Sequence, residues 1–403
     1  MLFRSRYSDL APNDPDYRLL PEAPEVETAV LRQSAPTRFG EKYSADLATR
    51  DTVHLWLWTT ATRVSTEADG GEWVETQTLD GQTRRFAARA VVLAGGAIEA
   101  TRLLMWSNVQ NQTSAGDGGG LLGRCYMDHP SGGAAFLHFD KPAGQMVYWS
   151  GIDAHADEGV PLHFVLRPSD AALAASGLPN VQFFVFPFAD NTADQALARS
   201  ANRGYRSMRS LAKWLLGRDV GARFDPAEAY CTAVENADEL ARVQARRLIR
   251  REGVSQVLLK YEAEQRPDLE NHIALDGQTR DATGVPQPVL TWTPGQDDLE
   301  AVRRTALSIG QMAGASGLGR LRLEDHGDDP YWGTSTAWHQ LGTMRMADSP
   351  TSGVVDADCR VHGAGALYVA SGAVFPQVGR ANPTLTIVAL AVRLADHLKE
   401  RGV

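Results

Sequence analysis

The sequence predicts a mixed fold: an α/β region split into two pieces along the chain, with an antiparallel α+β segment inserted between them. Three observations predict it. Ala90-Val91-Val92-Leu93 is apolar throughout, as a strand buried on both sheet faces should be, and Ala94-Gly95-Gly96 ends it before the helically spaced Ala97 to Trp106. Alternating or aromatic-rich runs then recur across roughly residues 134–330, the pattern of an antiparallel sheet with one covered face. The last 70 or so residues return to α/β texture, with a short buried-strand pattern at Ala366 to Ser371 and a helix over Thr384 to Arg401.

Taken in order, residues 1–48 read as loop with one short helical stretch, Glu25 to Arg32. Two strand-like runs follow, Thr52 to Thr60 and Glu72 to Leu79, the second closed by the turn signal Asp80-Gly81. In the middle region the strand runs fall at 134–139, 146–150, 161–167, 181–188, 255–263, 271–275 and 288–292. Helices are expected over about 203–217 and about 237–252, the latter with Asn236 as N-cap, Asp238 and Glu239 in its first turn, and Arg250 and Arg251 before Gly253. A third, over about 296–315, closes the region. In the final helix Leu385, Val388, Ala389, Val392, Leu394 and Leu398 recur at helical spacing after Asn382-Pro383.

At 403 residues the chain suggests two or three domains. A net charge of -9 argues against a general nucleic-acid binder, whose footprint would be basic. Cys125, Cys231 and Cys359 lie far apart and cannot all pair, so a disulfide framework is not expected. The longest apolar runs, Ala90 to Ile98 and Ile387 to Val392, fall short of the ~20 residues a bilayer requires, and the first 20 residues carry no secretory pattern. A cytoplasmic location is the expectation.

Three motifs invite a function and have blander readings. A literal GxGxxG at Gly118 to Gly123 follows a polar loop rather than a strand, and reads as flexible loop. Cys359 and His362 form a lone C-x-x-H without a second ligand pair, so no metal is expected. The basic stretch Arg203 to Arg218, with Leu211, Trp214 and Leu215, reads as an amphipathic helix packed on its own domain before it reads as a membrane or partner face.

The C-terminal constellation is more specific. His339-Gln-Leu-Gly342-Thr343 supplies an imidazole, the side chain suited to proton transfer near neutrality. Gly342 and Gly372 permit close approach of backbone to a ligand, and Asn382 offers a donor and an acceptor at the start of a helix whose amides can meet an electron-rich group. Around them stand Val354-Val355-Asp356, Arg360-Val361-His362-Gly363, Leu367 to Gly372, Phe375-Pro376 and Asn382-Pro383-Thr384-Leu385-Thr386.

With this block, Phe39-Gly-Glu-Lys-Tyr43, the run Ala87 to Leu104, Gly123-Arg124 with Met127-Asp128-His129-Pro130, and Glu264-Gln265 with Asn271, the chain resembles the glucose–methanol–choline (GMC) oxidoreductases. The resemblance implies an FAD-dependent, choline-dehydrogenase-like enzyme acting on the CH–OH group of a small alcohol, polyol or sugar. Hydride would pass to flavin N5 with His339 as base and Asn382 holding the hydroxyl oxygen. FAD would be bound by Ala61, by Ala94 and Gly95, by Ser371 and Gly372, and by Asn382, Pro383 and Thr384. The implied architecture is a Rossmann-like FAD-binding domain in two pieces, 49–133 and 331–403, around an antiparallel-sheet substrate domain at 134–330, with 1–48 as an N-terminal remnant. Family members begin with a strand, a Gly-x-Gly-x-x-Gly turn and an acidic residue, none of which precedes Phe39. The Rossmann-like domain is therefore expected to be incomplete, its missing unit lying in another segment or partner chain. The alternative is a truncated or non-catalytic GMC-like subunit that does not bind FAD on its own.

Overall fold

The computed structural model describes residues 19–20, 24–32, 37–68, 71–143, 162–187, 207–217, 225–237, 254–327, 329 and 333–403. The expected strand at 146–150 and nearly all of the expected helix at 237–252 lie outside these.

The largest element is an antiparallel sheet in the order β1 (Val26–Arg32), β7 (Leu162–Pro168), β8 (Val181–Pro187), β9 (Val254–Ala263), β6 (Pro130–Ala143) and β12 (Gly319–Leu323), with the short β13 (Ser335–Thr336) also on β6. One face is covered by the helix Gln296–Ala315. Its buried Leu299, Val302, Ala306, Ile309 and Ala313 recur at helical spacing. Tyr261, Phe183, Leu137 and Leu259 of the sheet are fully buried in the same core.

A second core forms around two parallel strands, β5 (Val91–Leu93) and β14 (Leu367–Val369), paired Val91 to Leu367 and Val369 to Leu93. The helix Gly96–Asn111 follows β5, and the helix Thr384–Glu400 follows β14 after a single 3-10 turn, Gly372–Val374. Beside them lies a three-stranded meander, β2 (Thr59–Val64), β3 (Glu72–Thr78) and β4 (Thr83–Ala88). The hairpin β10 (His272–Arg280) and β11 (Pro286–Thr291), expected within the large sheet, forms its own ribbon against Gly96–Asn111. Arg102 fastens it there, donating to the Pro286 and Val285 carbonyls at 2.6 and 3.0 Å and pairing with Asp281 at 2.5 Å.

Several local expectations are corrected. Glu25 to Arg32 is strand β1, not helix: eight residues are too few to hold a helix alone, and Val26, Thr28 and Val30 pair in full register with β7. Phe39–Thr49 is helical rather than loop; its Phe39, Tyr43 and Leu47 recur at helical spacing, yet the helix buries no residue. The run Thr52 to Thr60 does not pair until Thr59. Leu55 to Trp58 stand 51–88% exposed, and Trp58 takes a left-handed φ of 58° that breaks an extended chain. A helix not expected from the sequence, Pro226–Glu235, precedes Asn236; Asp225 caps its start by accepting the amides of Ala227 and Glu228, and Asn236 stands at its C-terminal end. Val92 is 39% exposed between two buried neighbours, so β5 has one open face instead of two covered ones. Gly118 to Gly123 is loop, pressed against Pro350 and Thr351, with no strand before it. Among the described residues no helix is long and apolar enough to cross a membrane.

One buried carboxyl gives a prediction about pH. At the start of Gln296–Ala315, Asp298 accepts the Gly295 amide at 2.8 Å and the Arg266 amide at 3.4 Å, and burial lifts it to about 6. Because the folded chain holds this proton more tightly than the unfolded one, the stability it contributes is full below about pH 4 and lost as pH rises through 6. Asp298→Asn removes that loss. Between pH 4 and 8 the difference in urea-unfolding free energy should move in the variant's favour by about 2 kcal/mol. A flat or opposite trend would refute the assignment.

Candidate active site

The site is assembled by an antiparallel bridge between two distant stretches. Met127 and Leu341 exchange both backbone hydrogen bonds, at 3.0 and 2.9 Å, and that register sets His129 opposite His339. Beneath them Met127, Leu341 and Val378 form a small buried cluster. Gly342 makes the next step: with φ at +88° its Cα lies against the Cys125 carbonyl, and its amide donates to the Gly372 carbonyl at 3.2 Å. Met344 and Met346 continue that pairing to Ala373 and Val374. Thr343 is tied to the first turns of Gly96–Asn111 through Thr101 Oγ1 at 2.8 Å and the Ala97 carbonyl at 3.3 Å.

Asp128 holds the loop that carries His339. Its fully buried Oδ1 accepts three backbone N–H groups, from His129 at 2.7 Å, His339 at 3.0 Å and Ala337 at 3.1 Å. Burial raises its pKa, and these three donors act against the rise by favouring the anion. Tyr126, raised by burial and by Asp128, donates its hydroxyl to Oδ2 at 3.4 Å. The Asp128 amide in turn donates to Gln265 Oε1, which also takes the Trp292 indole N–H.

The two imidazoles meet edge to face. Their Nδ1 atoms are 2.7 Å apart and their planes cross at 83°. His129 is fully buried and its Nε2 lies 2.6 Å from the Gly379 carbonyl oxygen; His339 is only half-buried. Burial pulls His129 down to about 4, so it is neutral at physiological pH. Asn382 is three residues beyond Gly379, exposed where the chain turns into Thr384–Glu400, with Pro383 buried behind it and Thr384 exposed. Ile387, in the first turn of that helix, and the Gln340–Leu341 segment both crowd Gly372, where a Cβ would collide with them.

The other sequence-derived positions gather at the second core. Ala61, Ala94 and Gly95 line one apolar cleft of about 480 Å³ together with Val64, Val74 and Val92. Because β5 and β14 run parallel and in register, Ala94-Gly95 and Ser371-Gly372 emerge side by side at their carboxyl ends, and the Ala370 amide donates to the Leu93 carbonyl at 2.9 Å. The Gly96–Asn111 helix begins there at Gly95 with no side-chain cap, leaving amides open toward that end of the cleft. The Ser371 hydroxyl caps the Ala373 amide at 3.2 Å. An apolar trough ending in uncapped helix amides and side-chain-free glycines suits a dinucleotide with an aromatic base and an anionic linker. Cys359 and His362 are engaged elsewhere, with Arg393 and the Ala347 carbonyl. Among the described residues no group of three or more potential ligands could hold a metal ion.

Nothing in the sequence by itself gives Asp128, His129 or Gly379 a role. Met127 to Pro130 stood out only as part of a resemblance, since nothing local reveals a partner 210 residues away.

Residues 267–391 match the family model described as GMC oxidoreductase. The fructose dehydrogenase large subunit of Gluconobacter japonicus is 27% identical over 324 residues, which cover 79% of this chain and 48% of that protein. The 6'''-hydroxyparomomycin C oxidase of Streptomyces lividus is 35% identical over 136 residues, 33% of this chain and 24% of that one. The chain thus spans about half or less of the length of the curated relatives it matches. The crystal structure of pyridoxine 4-oxidase from Mesorbium loti superposes with a TM-score of 0.52 at 16% identity, covering 92% of this chain and 64% of that one, a likeness of fold.

Proposed function

We propose, from the premise that residues 267–391 form a GMC oxidoreductase C-terminal domain, that this chain belongs to an FAD-dependent oxidoreductase acting on the CH–OH group of a small alcohol, polyol or sugar. The observation that carries the reading is the anchored His339: a half-buried imidazole whose backbone is pinned by Asp128 and whose ring is braced from one side by His129. When bound, FAD supplies the two-electron acceptor for the hydride of the carbinol carbon. Ala61, Ala94, Gly95, Ser371 and Gly372 would hold its nucleotide portion, and Pro383 and Thr384 would flank its ring system.

The chain's own residues then handle the proton and the orientation. As hydride leaves the carbinol carbon, the hydroxyl becomes acidic, and His339 takes its proton. Asn382 donates its amide to the hydroxyl oxygen and fixes which hydrogen on that carbon is presented. His339 thereafter carries the proton as imidazolium and releases it to water. The domain division expected from the sequence assigns 49–133 and 331–403 to the cofactor and 134–330 to the substrate. The name of the Gluconobacter relative, a large subunit, favours a companion chain here too.

The test is a titration of the purified chain with FAD, followed by dye reduction over a panel of alcohols, polyols, hexoses and aminoglycosides. Expected are saturable quenching of flavin fluorescence and substrate-dependent dye bleaching, in the chain or in its complex with a companion subunit. Flavin binding without reduction by any CH–OH donor would overturn the assigned reaction. No flavin binding in either form would favour the non-catalytic reading.

A further inference from the structure

We infer that His129 is a positioning residue for His339: its bare Nδ1 accepts the His339 Nδ1–H, which fixes the tautomer of His339 and leaves the lone pair on Nε2. The chain of reasoning is one of donors and acceptors. The Gly379 carbonyl oxygen can only accept, and it lies 2.6 Å from His129 Nε2, so that nitrogen carries a hydrogen. A neutral imidazole carries one N–H, so Nδ1 of His129 is an acceptor. At 2.7 Å the two Nδ1 atoms must share a hydrogen, and only His339 can provide it. A neutral His339 with hydrogen on Nδ1 has its lone pair on Nε2, the atom on the far side of the ring from His129.

The competing arrangement, a doubly protonated His129 donating from both nitrogens, places a cation in a fully buried position. Among the described residues the neighbouring carboxylate, Asp128, is already engaged, its Oδ1 by three backbone amides and its Oδ2 by Tyr126. Burial disfavours that form, which is why the His129 pKa falls. The ring cannot easily turn away either. Asp128 accepts the amides of both His129 and His339, and the Met127–Leu341 bridge locks both backbones. A free imidazole in water exchanges its hydrogen between two nitrogens. Here the choice is made by a carbonyl on the loop three residues before Asn382, relayed through one ring. The same oxygen therefore ties the tautomer of one proposed site residue to the backbone that carries the other. The tautomer stands on hydrogen-bond geometry alone; that Nε2 acts as the base rests on the function proposed above.

The experiment is a long-range proton–nitrogen correlation spectrum of the ¹⁵N-histidine-labelled chain near pH 7.5, with His339 and His129 identified by the signals lost in His339→Asn and His129→Asn. Expected are a His339 ring with hydrogen on Nδ1 and a bare Nε2, and a His129 ring of the opposite tautomer. Hydrogen on Nε2 of His339, or on both nitrogens of His129, would overturn the inference. Variants then separate positioning from packing. His129→Asn keeps an acceptor oxygen near the Nδ1 position and should preserve the His339 tautomer; His129→Leu removes it and should shift His339 toward hydrogen on Nε2. In the flavin-loaded protein, kcat should fall by about 10²-fold or more in His129→Leu, as expected for a base held in the wrong tautomer, with partial rescue in His129→Asn. A folded His129→Leu whose His339 tautomer is unchanged would remove the positioning role. Should His129→Leu fail to fold, the parent spectrum and His129→Asn still decide. The predicted tautomer in a protein that oxidises no alcohol would uphold this inference while sinking the proposed reaction.

Discussion

Replacing His339 by asparagine should lower alcohol-dependent dye reduction by about 10²–10⁴-fold, the usual loss on removing a general base. Asparagine is the informative replacement. Its side-chain amide can still donate to His129 Nδ1 and so preserve the buried hydrogen bond, while it offers no group able to take a proton near neutrality. The backbone anchor is untouched, since the residue 339 amide still donates to Asp128. Loss of turnover with flavin affinity and melting temperature held near the parent values would assign the loss to proton transfer. A variant retaining a third or more of the parent rate would show that the hydroxyl proton leaves by another route.

How much of this was legible in the sequence depends on the distance over which each feature is decided. The helix Gln296–Ala315 is written locally: Leu299, Val302, Ala306, Ile309 and Ala313 form one stripe, and its bounds follow from that stripe. The same holds for β5 and the glycine turn after it. Where a segment's fate is set by a partner, local reading fails. Glu25 to Arg32 reads as helical in isolation, yet seven consecutive pairings of Val26–Arg32 with β7, 130 or more residues away, decide it as strand. Phe39–Thr49 carries a short helical period in Phe39, Tyr43 and Leu47, but that stripe stays exposed and buries nothing. The site divides along the same line. The candidacy of His339 and Asn382 was legible because their residue types and order suit alcohol oxidation. The Asp128–His129–Gly379 relay was not, because its meaning lies in a register between residues 127 and 341 that no short window contains.

Gly342 is where that register is most easily broken, and Gly342→Ala should destabilise the chain by about 4 kcal/mol, read from the urea-unfolding midpoint. Two costs combine. A left-handed backbone, here φ +88°, costs an L-residue roughly 1–2 kcal/mol. A Cβ at this position would overlap the Cys125 carbonyl oxygen and stand 2.7 Å from Met127 Cε, and relieving such overlap in a packed core typically costs about 1–3 kcal/mol. Gly363 separates the two terms. Its φ is +76°, but a Cβ there meets nothing within 4 Å, so Gly363→Ala should lose only the backbone cost of roughly 1–2 kcal/mol. The difference between the two variants is therefore the overlap at the Cys125–Met127 segment, which leads into Asp128 and His129. Any shift that relieves it slides Met127 along Leu341, moves His129 off His339, and should shorten the lifetime of the His339 Nδ1–H signal even in molecules that remain folded. Equal losses in Gly342→Ala and Gly363→Ala would mean that the bridge yields freely, and that the register does not fix the two imidazoles as firmly as their 2.7 Å contact implies.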